Sequence, residues 1–379
     1  MLEPDENQRL ILDTVDRFMA RHMPSEEAGR RDEAHTPPYD LLPHLGEAGF
    51  LGLPVPEAHG GLGLDWTTMA LVQERLAWHA YAVGSIVNRV VGFGAMSVLS
   101  YGSEAQKARL LPRITSGRCL IALALTEPQA GSDAGAIRTR AERSGDGWVL
   151  TGGKTWISDA GGADYLLTAA RTDPDSRGSR GVSMFLVPRD APGIAMTQIP
   201  KVGNNCMPSW EIGLDGVQVG AEALMGEEGK GFSGLMSTLH YSRASMAATV
   251  LGCAQAALDL TIAHAKERQQ FGRPIGSFQT IRHRIADMQM RVDATRLVVR
   301  HLAWMIAEGR DSSRFASQAK VQATECLQFV TDHGMQILAS AGYARESAMQ
   351  RYWRDARLYS FGEGSNEIQR DLIARQLGL

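Results

Sequence analysis

The sequence predicts an α+β protein, mainly helical, built as a helical segment, a β domain and a helical bundle in that order. Three observations carry this reading. Helix-period apolar spacing runs through residues 1–118, short β-prone runs occupy 119–230, and long helix-period runs return over 231–379. The charge divides the same way, with 18 basic against 13 acidic residues in 231–379 and an acidic excess in both preceding segments.

In the first segment Asp5 precedes a periodic run containing Leu10, Ile11, Val15 and Phe18, a helix with its N-cap. Pro37 and Pro38 introduce a second, short helix. Further helices are expected near 67–79, 84–99 and 104–116, the last capped by Ser103. The second segment contains the runs CLIALAL, GWVLTG, DYLLTAAR and GVSMFLVP, separated by Gly, Asp, Pro and Ser clusters. That spacing predicts an antiparallel β domain, not βαβ repeats. The third segment predicts long helices near 232–268, 278–308 and 314–340, with three- and four-residue apolar spacing clearest in RVDATRLVVRHLAWMI.

Composition narrows the function classes. The 379 residues are 44% hydrophobic and 21% charged, with net charge −3, which fits a globular chain and excludes a dedicated nucleic-acid binder. Cysteines 119, 206, 253 and 326 form no C-x-x-C pair, so a reducing cytosol fits better than a disulfide framework or zinc site. The opening MLEPDENQRL lacks the basic start and apolar run of a signal peptide, and a cytoplasmic location is expected. Arg89 is the only formal charge from Leu76 to Ser103, but Gly, Ser, Asn and His interrupt that stretch, which reads as buried helices and not a membrane span. Gly, at 40 residues, is over-represented, so the backbone must bend or approach something closely at many points.

No H-E-x-x-H, G-x-S-x-G or complete Walker A motif occurs, and no metal is expected. The one G-x-G-x-x-G, at 229–234, follows MGEE with no strand leading into it, so it reads as the entry to a helix. Four other elements carry chemistry. TEPQAGSD at 126–133 leaves a strand end and offers Thr126, Ser132 and backbone N–H groups to a heterocycle or phosphate. GKTWIS at 153–158 places the flat face of Trp156 beside two hydroxyl residues. RQQFGRPIGSFQ at 268–279 separates two long helices, with Phe271-Gly272 expected to end the first and Pro274 to block its continuation; its Arg268, Arg273 and Gln279 suit a pyrophosphate. FGEGSNEIQR at 361–370 sets Glu363 between two glycines before the last helix, with Ser365 or Asn366 as N-cap. Partial burial would raise its pKa toward that of a working base.

These motifs, in this order, resemble the acyl-CoA dehydrogenase family from about Asp5 to the C-terminus, together with GFLGLPVPEAHGGLG, YGSEAQKARLLPRITSG and EIQRDLIARQL. The resemblance implies three domains, here 1–118, 119–230 and 231–379, with non-covalent FAD in a homotetramer. It implies that Leu125, Thr126, Ser132, Trp156 and Ser158 hold the isoalloxazine ring. Arg268, Phe271 and Gln279, with Gln336 through Ser340, would reach the FAD of a neighbouring subunit, and Ser365 and Glu367 its adenosine and pyrophosphate side.

The implied activity is α,β-dehydrogenation of an acyl-CoA thioester, with Glu363 as the base and flavin N5 as hydride acceptor. Electrons would pass to an electron-transfer flavoprotein. Some members place the base just before the Arg of the first bundle helix, but here that slot is Ser242, ahead of Arg243. Arg243 would then orient the site, and Ser132 and Arg89 would meet substrate, Arg89 at a polar or anionic acyl terminus. A flavin monooxygenase or oxidase on the same scaffold is the alternative. The sequence departs from the family pattern at Ala339 and Ser340, which replace two glycines, at Asp159, which replaces an Asn, and at Asn205, where an Arg is usual.

Overall fold

In the computed structural model, which describes residues 3–379, Asp5 starts the first helix as its sequence pattern requires. The Asp5 carboxylate accepts from the Gln8 N–H at 2.8 Å, and the Gln8 side chain accepts from the Asp5 N–H at 3.1 Å. This helix is α1 (Glu6–His22). It is followed by α2 (Ser25–Glu33), α3 (Leu42–Glu47) and α4 (Trp66–His79). The helix expected at 84–99 is longer and not uniform. It runs as α5 (Tyr81–Asn88), a π-helical segment over Arg89–Ala95, and α6 (Met96–Tyr101). Segments of π-helix concentrate at functional sites, and this one lies across from Glu363. Ser103 caps α7 (Glu104–Thr115) in a reciprocal box with Gln106.

The β domain has strands β1 (Ile121–Ala124), β2 (Arg140–Ser144), β3 (Gly147–Ser158), β4 (Tyr165–Arg171), β5 (Val182–Pro188), β6 (Ile194–Ile199), β7 (Ser209–Val219) and β8 (Leu224–Met225). Their order is β6-β7-β3-β2-β4-β5-β8, with β1 beside β4. Most pairings are antiparallel as expected. Two are parallel, β1 with β4 and a single β2 residue with β4, because the whole β2–β3 excursion separates β1 from β4 in the chain. In the β3–β7 pairing the register shifts between Lys154 and Ile157, and this bulge turns Trp156 outward.

The C-terminal helices are α8 (Gly231–Glu267), α9 (Gln279–Ala307), α10 (Ser313–Leu338), α11 (Ser340–Tyr343), α12 (Ala348–Ala356) and α13 (Asn366–Gln376). Between α8 and α9 the sequence expectation is corrected. Phe271 and Gly272 do not end α8, which stops at Glu267. They form the tip of a tight hairpin between β9 (Gln269–Gln270) and β10 (Arg273–Pro274). Both tip residues have positive φ, 53° and 75°, the geometry of a two-residue turn that follows strand twist. Two helical stretches are long and apolar enough to cross a membrane, Tyr81–Tyr101 and Gly231–Glu267. Their most apolar windows are 78% and 72% buried inside the protein, so they are its core helices.

Candidate active site

Glu363 sits in the turn between Tyr359 and α13. Its own backbone is left-handed (φ 55°), so the strain falls on the acid itself, while the following Gly364 (φ 85°) continues the turn without penalty. Flanking glycines therefore explain only part of the presentation, since Gly362 has no positive φ. Four groups hold this costly turn. The Ser365 hydroxyl caps α13 by accepting from the Ile368 N–H. The buried amide of Gln369 donates to the carbonyls of Glu363 and Gly364, both at 3.3 Å. Lys320 and Thr324 of α10 donate to Asn366 Oδ1 at 2.8 and 3.2 Å.

The Glu363 carboxylate is met from two helices. Ser242 of α8 donates its hydroxyl to Oε2 at 2.8 Å, and Asn88 of α5 donates its amide to Oε1 at 3.3 Å. The helices approach closely here: a Cβ on Gly92 would lie 2.9 Å from both Asn88 Oδ1 and Ser242 Cα. Burial pushes the Glu363 carboxyl above the usual carboxylate range, opposed in turn by Ser242, Arg243, Lys320 and Asn88. Ser242, excluded as a base by its chemistry, is thus a ligand of the carboxylate. Arg243 keeps its Nε buried and, among the described residues, without a partner.

One residue along from Asn88, Arg89 is 9% exposed and bonds the carboxylate of Asp159 through Nε. Its Nη1 donates to the Ser85 carbonyl at 2.8 Å and hydroxyl at 2.6 Å, and its Nη2 has no partner among the described residues. Tyr39 donates to the second Asp159 oxygen at 2.9 Å. The lone charge of the 76–103 stretch, Arg89, and one departure from the family pattern, Asp159, therefore neutralise each other. The pair also joins the helix that touches Glu363 to the end of the Trp156 strand.

On that strand Trp156 has φ 60° and is 53% exposed, an indole presented outward by the bulge. The Thr155 N–H donates to the Thr126 carbonyl at 2.9 Å, which sets the 125–132 loop beside it. Beneath them lies a buried ion pair. Lys154 Nζ is 2.7 Å from Glu127 Oε1 and 3.2 Å from the Leu125 carbonyl, and Glu127 also accepts from the N–H groups of Arg138 and Thr139. A Cβ at Gly131 would meet no protein atom within 4 Å, so packing does not require glycine there. A ligand passing close to the backbone would. The 125–132 loop and the Trp156 strand, joined at Thr126 and Thr155, make a shelf on which Ser132 and Trp156 are exposed and Leu125, Thr126 and Ser158 half-buried, and a ring face beside hydroxyls suits a planar heterocycle.

Hydrogen bonds tie Glu363 to Asn88 and to Ser242, the neighbour of Arg243, and tie Arg89 to Asp159 at the end of the Trp156 strand, while Ser365 and Glu367 follow Glu363 in the chain. Arg268, Phe271, Gln279, Gln336 and Ser340 stand apart. They are exposed on the hairpin, at the start of α9 and around the end of α10, and no hydrogen bond links them to the shelf among the described residues. Phe271 is 93% exposed. Sequence reasoning missed Asn88, Lys320 and Gln369, and it offered Asn366 as an alternative N-cap, a place that Ser365 takes. Lys320 alone carried a signal, because it occupies the buried stripe Ala316, Lys320, Ala323, Leu327 of α10, where a charge is out of place.

The chain thus combines a helical domain, a β domain with an exposed Trp156 on a strand bulge, and a helical bundle that buries the Glu363 carboxylate. Comparison with known proteins matches the acyl-CoA dehydrogenase N-terminal domain over residues 5–118, the middle domain over 122–217 and the C-terminal domain over 229–378. A probable acyl-CoA dehydrogenase of Bacillus subtilis is 38% identical over 376 residues, 99% of each chain. The structure of a glutaryl-coenzyme A dehydrogenase in complex with glutaryl-CoA superposes with TM-score 0.96 at 37% identity, covering 100% of this chain and 97% of the other. Butyryl-CoA dehydrogenase from Megasphaera elsdenii gives 0.96 at 32% identity and 100% coverage of both. The chain belongs to the acyl-CoA dehydrogenase family, FAD-dependent enzymes that oxidise a CH–CH bond of acyl-CoA-like substrates.

Proposed function

We propose that Glu363 is the base that removes the α-proton of a bound acyl thioester. The carrying observation is its carboxylate, held by Ser242 and Asn88 on a strained turn, with two cations nearby and no ion pair to neutralise it among the described residues. A thioester α-proton is weakly acidic, so a desolvated carboxylate of raised proton affinity suits its removal. Bound FAD supplies the acceptor for the β-hydrogen, which leaves with its electron pair to give an α,β-unsaturated thioester. The shelf of Leu125, Thr126, Ser132, Trp156 and Ser158 holds the ring system, and Ser365 and Glu367 serve its adenosine and pyrophosphate side. Ser132 also faces substrate, and Arg243, its Nε unpaired, orients the reacting group.

Arg89 meets the far end of the acyl chain through Nη2. Its charge is already taken up by Asp159, so a neutral polar terminus fits better than a carboxylate. The exposed Arg268, Phe271, Gln279, Gln336 and Ser340 reach the FAD of a second copy, in a homotetramer whose three domains divide near residues 118 and 230. An electron-transfer flavoprotein takes the electrons. Four free, buried cysteines support a cytoplasmic setting.

The test is anaerobic bleaching of the flavin by a panel of acyl-CoAs: butyryl, octanoyl, branched, hydroxylated and glutaryl. The proposal expects bleaching that is lost in Glu363→Gln with FAD still bound, and faster turnover of neutral termini than of glutaryl-CoA. Bleaching at the wild-type rate in the variant would place the base elsewhere. Preference for glutaryl-CoA would refute the neutral terminus. Oxygen consumption by the reduced enzyme at the rate of turnover would point to an oxidase.

A further inference from the structure

Lys320 is 0% exposed, and no carboxylate lies within ion-pair distance of it among the described residues. Its one hydrogen bond goes to Asn366 Oδ1, the first residue of α13 and three beyond Glu363. A buried cation with a single neutral acceptor is costly to keep. Packing does not explain it, because the same stripe of α10 is otherwise filled by Ala, Thr and Leu. The surroundings do. Glu363 stands behind the turn that Asn366 closes, with Glu367 and Arg370 on α13, Arg243 on α8 and Tyr359 ahead of the turn as the other titratable or charged groups.

We propose that Lys320 is a positioning residue for the reaction, its sealed charge stabilising the carboxylate of Glu363 while its hydrogen bond to Asn366 fixes the turn. This rests on Glu363 being the base. Arg243 acts on the same carboxylate at longer range from α8, without an ion pair among the described residues; Lys320 acts from α10, out of contact with solvent. A cation placed there favours the proton-free form of Glu363 without blocking its oxygens, as a direct ion pair would. Burial in turn lowers the pKa of Lys320 to about 8, so it stays charged below that pH.

The experiment is Lys320→Met in the holoenzyme, with the bleaching rate followed against pH using whichever panel thioester reacts fastest. A base must be unprotonated, so the rate falls on the acid side. Without Lys320 that acid limb should move up by about one pH unit, roughly a tenfold loss of rate below the limb. Thermal stability should hold or rise, since an uncompensated buried charge has gone. Asn366→Asp gives Lys320 a carboxylate partner and should move the limb in the same direction, which keeps the test open if Lys320→Met does not fold. An acid limb that stays in place in the folded variants, with a lowered melting temperature, would make Lys320 structural only and overturn the proposal. Glu363→Gln separates the two readings: bleaching that survives in it refutes the base, whereas bleaching lost in it beside an unmoved limb in Lys320→Met refutes only Lys320.

Discussion

Ala339 stands where the family pattern has glycine, and the backbone has kept the glycine's conformation. Its φ is 53° and its ψ −134°, a region that a Cβ disfavours strongly. The turn needs this geometry because α10 ends at Leu338 and α11 begins at Ser340, with the N–H groups of Gly342 and Tyr343 both returning to the Ala339 carbonyl. A non-glycine residue so placed costs about 1–3 kcal/mol. Restoring glycine returns about 0.4–1 kcal/mol of that through the freer unfolded chain. The methyl is exposed, so no packing is lost. Ala339→Gly should therefore stabilise the protein by roughly 0.5–2 kcal/mol. In a chain of 379 residues that is a rise in melting temperature of about 1–2 °C, better resolved as a shift of the urea midpoint. Ser340→Gly is the control. Ser340 has ordinary helical backbone, so glycine there should cost about 0.5–1 kcal/mol. Loss of stability in Ala339→Gly, or equal gains in both variants, would refute the reasoning from backbone strain.

Other expectations follow from the site. Trp156→Ala should fold normally, because the indole is half exposed, but bind FAD about tenfold more weakly by fluorescence titration. Ser242→Ala removes a donor to the Glu363 carboxylate and should raise the acid limb of the bleaching rate by about one to two pH units. The buried ion pair predicts acid sensitivity. Burial opposes ionisation of Glu127, but Lys154 and the Thr139 and Arg138 donors overcome it and hold its pKa at about 2, below the usual 4.5. A depressed carboxylate pKa stabilises the fold above pH 4.5, and that stability is lost as the pH falls from 4.5 toward 2. Glu127→Gln should flatten this part of the stability curve in acid denaturation.

Much of the architecture was legible because local signals and burial agree. Asp5 and Ser103 cap helices as their sequences require, and the long helices of the bundle begin and end within a residue or two of their periodic runs. Strands β2, β6 and β7 were not read, since their burial patterns are broken by exposed residues and lack a clean apolar alternation. The hairpin at Phe271 was hidden because an aromatic residue at positive φ is a poor turn signal. The site divides similarly. Contiguous motifs exposed the shelf and Glu363, but the groups that tune Glu363 come from three separate helices. Asn88, Ser242 and Lys320 meet only in the folded chain, and an Asn or Ser in a helix announces nothing alone. The pairing of Arg89 with Asp159 joins residues 70 positions apart, so the lone charge and the Asp that replaces an Asn found one explanation only in three dimensions. Among the glycines, the conformation of Gly364 (φ 85°) requires glycine, whereas a side chain at Gly131 would meet open space, a difference the residue count alone could not show.

The central claim is that Glu363 removes the proton. Its most direct measurement is the anaerobic reductive half-reaction of purified Glu363→Gln holoenzyme beside the wild type, mixed with the fastest acyl-CoA of the panel. Normal FAD content and substrate binding are expected, with bleaching slowed by several orders of magnitude. Bleaching of the variant at the wild-type rate would contradict it.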